Sequence, residues 1–237
     1  MKILIINTLL LFVISFSVAE VVQDDTTKSV DPGVLNLLKN TIINESYTKA
    51  GAVILLKEAT SIVDSNNLVT CQMHIVGKIL NDKAKSDYAQ IPIFFNSYYS
   101  DIVLEYARTI KTDGSVITIS KDAVQIKNRP NYGEGITYSD QKVLNFSLPG
   151  LEVGSAFEFK IKYIDSRKII DNQWFDANNF YFIHYDLSPP YMVRIDPVYE
   201  SKFQLKVPKG QNFISSTRNC EPITTISPDD KFDIYEW

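Results

Sequence analysis

An all-β, antiparallel β-sandwich with one short N-terminal helix is the fold class predicted by three observations. Tyr and Phe, at 13 each, far outnumber Trp at 2, and Ile and Val are abundant; that mixture suits a pleated, half-buried surface. Short apolar runs recur from Ala52 to Trp237, separated by Asn, Asp, Pro and Gly. A helical period is present once, near the start of the chain.

Composition bounds the function. The 237 residues are 45% hydrophobic and 22% charged, too apolar for disorder and too charged for a polytopic membrane protein. Nine glycines and ten prolines exclude collagen-like or low-complexity character. A formal charge of −4 leaves no whole-domain electrostatic footprint for nucleic acid. Two His and two Cys leave little material for metal sites or nucleophilic catalysis.

Residues 1–19 read as a secretory signal peptide. Met1-Lys2 is a short positive start, Ile3 to Phe16 is an apolar core, and Ser17-Val18-Ala19 offers small residues before Glu20. The rival reading is an uncleaved anchor running from Ile3 to Ala19, a stretch at the lower limit for spanning a bilayer. Cleavage leaves a mature chain that begins at Glu20, and its apolar runs are too short to span a membrane. The expected location is therefore the periplasm or the extracellular space.

Residues 20–50 form a leader and a short helix. Asp31-Pro32 reads as an N-cap followed by proline at the first helical position. Val34, Leu37, Leu38, Thr41 and Ile42 follow at helical spacing, predicting a helix from Pro32 to Ile43. After Gly51 the helical signal disappears, and residues 51–237 read as the sandwich domain.

Strands follow in series. Ala52 to Val63 and Leu68 to Leu80 flank Asp64-Ser65-Asn66-Asn67, a hairpin linker. Ile102 to Lys111 and Ser115 to Ile119 flank Asp113-Gly114, the strongest tight-hairpin signal in the chain. Lys142 to Leu148 runs into Pro149-Gly150. Ala156 to Ile164 alternates Phe157, Phe159, Ile161 and Tyr163 against Glu158, Lys160 and Lys162, a half-buried strand with one wet face. Phe180 to Tyr185, Tyr191 to Ile195, Ser201 to Val207 and Phe232 to Trp237 complete the set.

The chemistry-bearing residues are few. Cys71 and His74 lie three apart in one strand, so the period of two sends them to opposite faces; Cys71, in phase with Val69, Met73 and Ile75, reads as a buried core thiol. Cys220, in Arg218-Asn219-Cys220-Glu221-Pro222, has a loop context and a nearby cation. His184 could approach it in space. A disulfide between Cys71 and Cys220 would close a long loop, in an oxidising compartment that permits it. Asp229-Asp230 and Asp233 lack the glycine and terminal glutamate of a calcium loop. Asn44-Glu45-Ser46 and Asn145-Phe146-Ser147 match the glycosylation pattern of a eukaryotic secretory pathway. No catalytic, cofactor-binding or metal-binding residue is assigned.

A binding surface is the remaining option. Phe94, Phe95, Tyr98 and Tyr99 form one aromatic cluster; Trp174, Phe175, Phe180, Tyr181, Phe182 and Tyr185 form another. Such side chains stack on sugars and anchor peptides, and equally fill cores. Trp174, Phe175 and Tyr181 are the candidate ligand-surface aromatics, because Asn172, Gln173, Asp176 and Asn178 mark a polar loop around Trp174.

Three stretches also carry a family resemblance when taken together. They are Glu105 to Lys111 with Asp113-Gly114, Val143 to Gly150 with Gly154, and the aromatic strand after it, ending near Val207-Pro208-Lys209-Gly210. From Gly51 to Trp237 the chain resembles the domain of unknown function N-terminal to transglutaminase-like cores in exported bacterial proteins. The resemblance implies an all-β sandwich with no assigned activity or cofactor, the catalytic cysteine, histidine and aspartate belonging to the following domain. It further implies a non-catalytic accessory domain that holds a polypeptide or cell-envelope substrate, or packs against the transglutaminase-like core. A carbohydrate-binding module of the cell envelope and a stand-alone thiol hydrolase are the two alternatives.

Overall fold

The computed structural model describes residues 29–43, 47, 50–129, 139–185, 193–218 and 231–237. Among these lie two short α-helices, α1 (Pro32–Asn40) and α2 (Asp82–Asp87), one 3-10 turn (Lys121–Ala123) and twelve strands. The strands are β1 (Ala52–Val63), β2 (Val69–Ile79), β3 (Gln90–Asn96), β4 (Ser100–Ile110), β5 (Val116–Thr118) and β6 (Val124–Asn128), followed by β7 (Gln141–Ser147), β8 (Ala156–Asp165), β9 (Phe182–Tyr185), β10 (Val193–Asp196), β11 (Val198–Pro208) and β12 (Phe232–Glu236).

A seven-stranded sheet in the order β12-β11-β1-β2-β8-β4-β5 packs against a three-stranded sheet, β3-β7-β6, while β9 and β10 pair as a separate ribbon. Between the two larger sheets lies the main core. Ile54, Ile75, Leu104, Phe157, Phe159 and Ile161 come from the large sheet, and Ile91, Phe95, Leu144 and Phe146 from the small one. The sandwich class is as predicted. One pairing departs from the antiparallel expectation: β1 and β11 run parallel, from Ile54↔Val198 to Ile62↔Lys206.

The helix α1 begins where its signals place it. Asp31 Oδ1 accepts from the Gly33 N–H at 2.7 Å, and Pro32 occupies the first turn. Val34, Leu37 and Leu38 pack on the outer face of the large sheet, over Val53, Leu55, Val76, Ile110 and Ala156. The second helix is a correction to the sequence reading: Asn81 caps α2 by accepting from the Ala84 N–H at 2.9 Å. A helix this short cannot show an apolar period. Its C-cap Tyr88 is fully buried and donates to Asp196 Oδ2 at 2.6 Å.

The Asp113-Gly114 hairpin forms, with one extra residue. Gly114 N–H donates to the Lys111 carbonyl at 2.9 Å, and Lys111 N–H to the Ser115 carbonyl at 2.8 Å. Gly114 alone in this loop has positive φ, +84°, so a three-residue loop with a left-handed glycine replaces the two-residue mirror-type turn. Asp113 Oδ1 holds the Ser115 N–H at 2.8 Å.

A pinned loop as candidate functional site

Segment 166–181 joins β8 to β9 without a helix or strand of its own. It is tied down along its length. The Ser166 and Arg167 N–H groups donate to the Tyr99 carbonyl at 2.8 and 3.2 Å, and the Arg167 guanidinium lies 4.3 Å from the centre of the Tyr98 ring. Asn67 Nδ2 donates to the Asn172 carbonyl at 3.3 Å. Both asparagines have left-handed backbones, φ 61° and 59°, a conformation their short side chains tolerate.

The three aromatic candidates separate here. Trp174 is half-buried. It joins a satellite core with Val63, Val69, Leu205, Val207, Phe203, Tyr235 and Trp237, and its ring centre is 5.7 Å from that of Phe213. Phe175 and Tyr181 remain outside, 67% and 46% exposed. Ile169 and Ile170 on the same segment are exposed as well.

The far end of the segment is held by a residue that sequence reasoning passed over. Lys57 of β1 is 4% exposed. Its Nζ donates to the Asn179 carbonyl and to Asn179 Oδ1 at 2.8 Å, with Asn178 Oδ1 at 3.5 Å. All three acceptors are neutral. Burial pulls the amine down to about 8, and the nearby Cys71 opposes that pull. A signal was available: Lys57 is in phase with the buried Ala59, Ser61 and Val63, so alternation points its stem inward.

Cys71 pairs in register with Ser61 and Tyr163, while His74 pairs with Glu58 and Lys160. The two stand on opposite faces, as the spacing predicts. Cys71 is a free thiol, half-buried where full burial was expected. Burial pushes it up to about 11, the reverse of what a nucleophile requires.

The other face of the large sheet corrects a second expectation. Glu158, read as part of a wet face, is 0% exposed. Its carboxylate accepts from Arg108 Nε at 2.8 Å and Tyr106 Oη at 2.8 Å, and lies 2.8 Å from His74 Nε2. Burial raises its pKa, yet His74 and Arg108 outweigh that and hold it at about 2. For His74, burial lowers the pKa, but the hydrogen bonds to Glu158 and Glu58 raise it above the ordinary value. A bulge at Glu105, where the β4–β8 register shifts, sets both Glu105 and Tyr106 on this face. Glu105 there pairs with Lys162 at 2.8 Å and accepts from Gln72. Arg108 Nη1 also donates to the Ser29 carbonyl at 3.0 Å, fastening the chain ahead of α1.

Residues 1–28, the Asn44-Glu45-Ser46 pattern, Cys220 and Asp229-Asp230 lie outside the described residues. So does the His184 side chain. Among the described residues no group of three or more His, Cys, Asp or Glu could hold a metal ion, and no helix is long and apolar enough to cross a membrane.

One solved structure shares this fold, and others match it more weakly. A candidate protease from Parabacteroides distasonis superposes with a TM-score of 0.62 at 15% identity, over 79% of this chain and 35% of that one. The chain thus spans about a third of the length of that structure. A zinc metallopeptidase from Deinococcus radiodurans in complex with a tripeptide substrate matches with a TM-score of 0.32 and 13% identity over 82% and 40% of the two chains. A CBM3a-L domain from a Clostridium thermocellum scaffoldin matches with a TM-score of 0.29 and 11% identity, over 54% and 79%. No curated protein matches. Residues 65–237 match the profile of a domain of unknown function with a solved structure, and the chain therefore belongs to that family, DUF3857.

Proposed function

We propose that the chain is a non-catalytic accessory domain of an exported transglutaminase-like protein, and that segment 166–181 is the surface with which it holds a polypeptide. One observation carries this reading. Among the described residues, four of the eleven exposed large hydrophobic side chains, Ile169, Ile170, Phe175 and Tyr181, fall within that single segment. Exposed apolar groups gathered on a loop that a rigid scaffold positions mark a contact site. The solved structure sharing the fold is nearly three times longer than the matched region, in keeping with a module of a larger protein. The high pKa of the Cys71 thiol supports the non-catalytic part.

The half-buried Trp174 ring, packed against Phe213, favours the polypeptide reading over the carbohydrate-binding alternative. The test is fluorescence anisotropy with labelled, unfolded casein peptides. Phe175→Ala with Tyr181→Ala should weaken binding by about tenfold or more, as loss of aromatic anchors does. Equal binding by the double variant, or peptide turnover that vanishes on thiol alkylation, would overturn the reading.

A further inference from the structure

We propose that β12 is an open edge at which the domain takes up a polypeptide as an added strand, an extended segment with Lys or Arg on one face and apolar side chains on the other. The inference rests on the reading of the chain as a polypeptide-holding domain. It assigns the mode of binding and the class of sequence held.

β12 ends the seven-stranded sheet, with β11 on one side and no strand on the other. The backbone fixes which groups are left over. Trp237 exchanges both bonds with Phe203, its N–H donating at 2.9 Å and its carbonyl accepting at 3.0 Å. In an antiparallel pair such bonded positions alternate with positions that face away. With Tyr235 opposite Leu205 and Asp233 opposite Val207, both of these also face β11. Phe232, Ile234 and Glu236 therefore turn their N–H and C=O groups outward, and among the described residues those groups have no partner. An open row of this kind is a template for another extended chain.

The other edges of the two larger sheets are guarded. β5 is three residues long, β3 contains Pro92 and β6 presents Lys127; a short strand, a proline and a lysine each discourage edge pairing. β12 has no proline, no lysine and no bulge in its register. Its two carboxylates are drawn back towards β11 and the turn after it: Asp233 Oδ2 accepts from Gly210 N–H at 2.8 Å, and Glu236 Oε1 from Gln204 Nε2 at 2.7 Å. The edge is left clear. Side chains then select the occupant. Tyr235 and Trp237 lie on the inner side with Phe203 and Phe213, and Glu236 lies on the outer side. A strand laid along β12 sets apolar side chains beside the two aromatics and a cation beside Glu236, which forms no ion pair among the described residues. A second copy of β12 would bring two more carboxylates and no Lys or Arg. A basic, alternating segment fits where a second copy does not.

The test separates backbone from side chain. The probe is a labelled, end-blocked peptide alternating Lys with Val, about eight residues long, enough to span the strand. Its control has the same sequence methylated at every backbone nitrogen, which keeps the side chains and removes the donors. Fluorescence anisotropy with the full chain should show the control binding about tenfold more weakly or worse, the loss expected when two or more backbone bonds go unmade. Glu236→Pro breaks no bond to β11, because that N–H faces outward, and should weaken the parent peptide by a similar factor. Glu236→Gln keeps the N–H and should weaken it less. If Glu236→Pro fails to fold, the two peptides on the unaltered chain decide alone. Equal affinity for the two peptides, no binding of the parent peptide, or equal losses in the two variants would overturn the proposal. So would a dimer of the chain that Glu236→Pro dissolves, which would give the edge to a second copy. A chain that binds casein peptides through Phe175 and Tyr181 yet does not discriminate the two probes keeps the polypeptide reading and loses this one.

Discussion

Arg108→Ala removes one partner of a fully buried carboxylate and is the sharpest test of the packing on the outer face. Glu158 would keep His74 Nε2 and Tyr106 Oη, each at 2.8 Å, and lose the charged donor at 2.8 Å. Arg108 also covers the Tyr106 ring at 5.1 Å and holds the Ser29 carbonyl at 3.0 Å. Breaking a buried pair by deleting one member costs about 3–5 kcal/mol. Two surviving hydrogen bonds place this case near the lower end, about 3 kcal/mol. With a urea m-value of about 2 kcal/mol/M, the midpoint should drop by about 1.5 M at unchanged m. The companion Arg108→Met/Glu158→Leu removes both charges and should recover much of the loss, because neither ion is left to desolvate. A loss below about 1 kcal/mol for Arg108→Ala would refute the reasoning. So would a double variant no more stable than the single one.

The same cluster sets a pH window. Glu158, held low at about 2, contributes stability above its ordinary value of 4.5 that fades as pH falls towards 2; His74, held high, contributes below 6.5 and loses its share as pH rises through its folded pKa. Urea midpoints from pH 2 to pH 9 should therefore peak between those limits, and a peak outside them counts against the ion cluster. Gly77 stands opposite Phe157, and a Cβ there would overlap the ring, so Gly77→Ala should cost about 1–3 kcal/mol in thermal or urea unfolding. Gly114→Val forces a β-branched residue to φ +84° and should cost on the order of 1–3 kcal/mol, although open space surrounds the site. Trp174→Ala should destabilise by about 2–3 kcal/mol, whereas Phe175→Ala should stay within about 0.5 kcal/mol; equal effects would contradict their assignment to core and surface.

Local pattern made most strands legible. Ala52 to Val63 matches β1 residue for residue, because its β-branched and alternating apolar residues end at the turn residues Asp64-Ser65-Asn66-Asn67. The Phe157-Phe159-Ile161 phase of β8 located the inner face correctly. The opposite phase misled at Glu158, since alternation reports which way a side chain points and not what covers it. Arg108 and His74 come from strands 50 and 84 residues away in sequence, and no local window contains them. β3 was read only as an aromatic cluster, because Pro92 interrupts its strand pattern. The parallel pairing of β1 with β11 depends on topology and leaves no turn signal. In the candidate site, Phe175 and Tyr181 are exposed and Trp174 is half-buried against Phe213, a contact that no local window contains.

The parallel pairing has a consequence in time. The register opens at Ile54↔Val198, so nine further strands are made before the partner of β1 emerges. At a synthesis rate of about 5–20 residues per second, one edge of β1 waits roughly 7–29 s for the strand that will cover it. During that interval β1 and β2 form a hairpin with an open apolar flank, a template for wrong partners. Lys57 stands in the middle of that flank, and an inward-pointing charge is a known deterrent to edge-to-edge pairing. A fragment beginning at residue 65, where the family match starts, would leave out β1 altogether. It would turn the junction of β2 and β11 into two permanent edges.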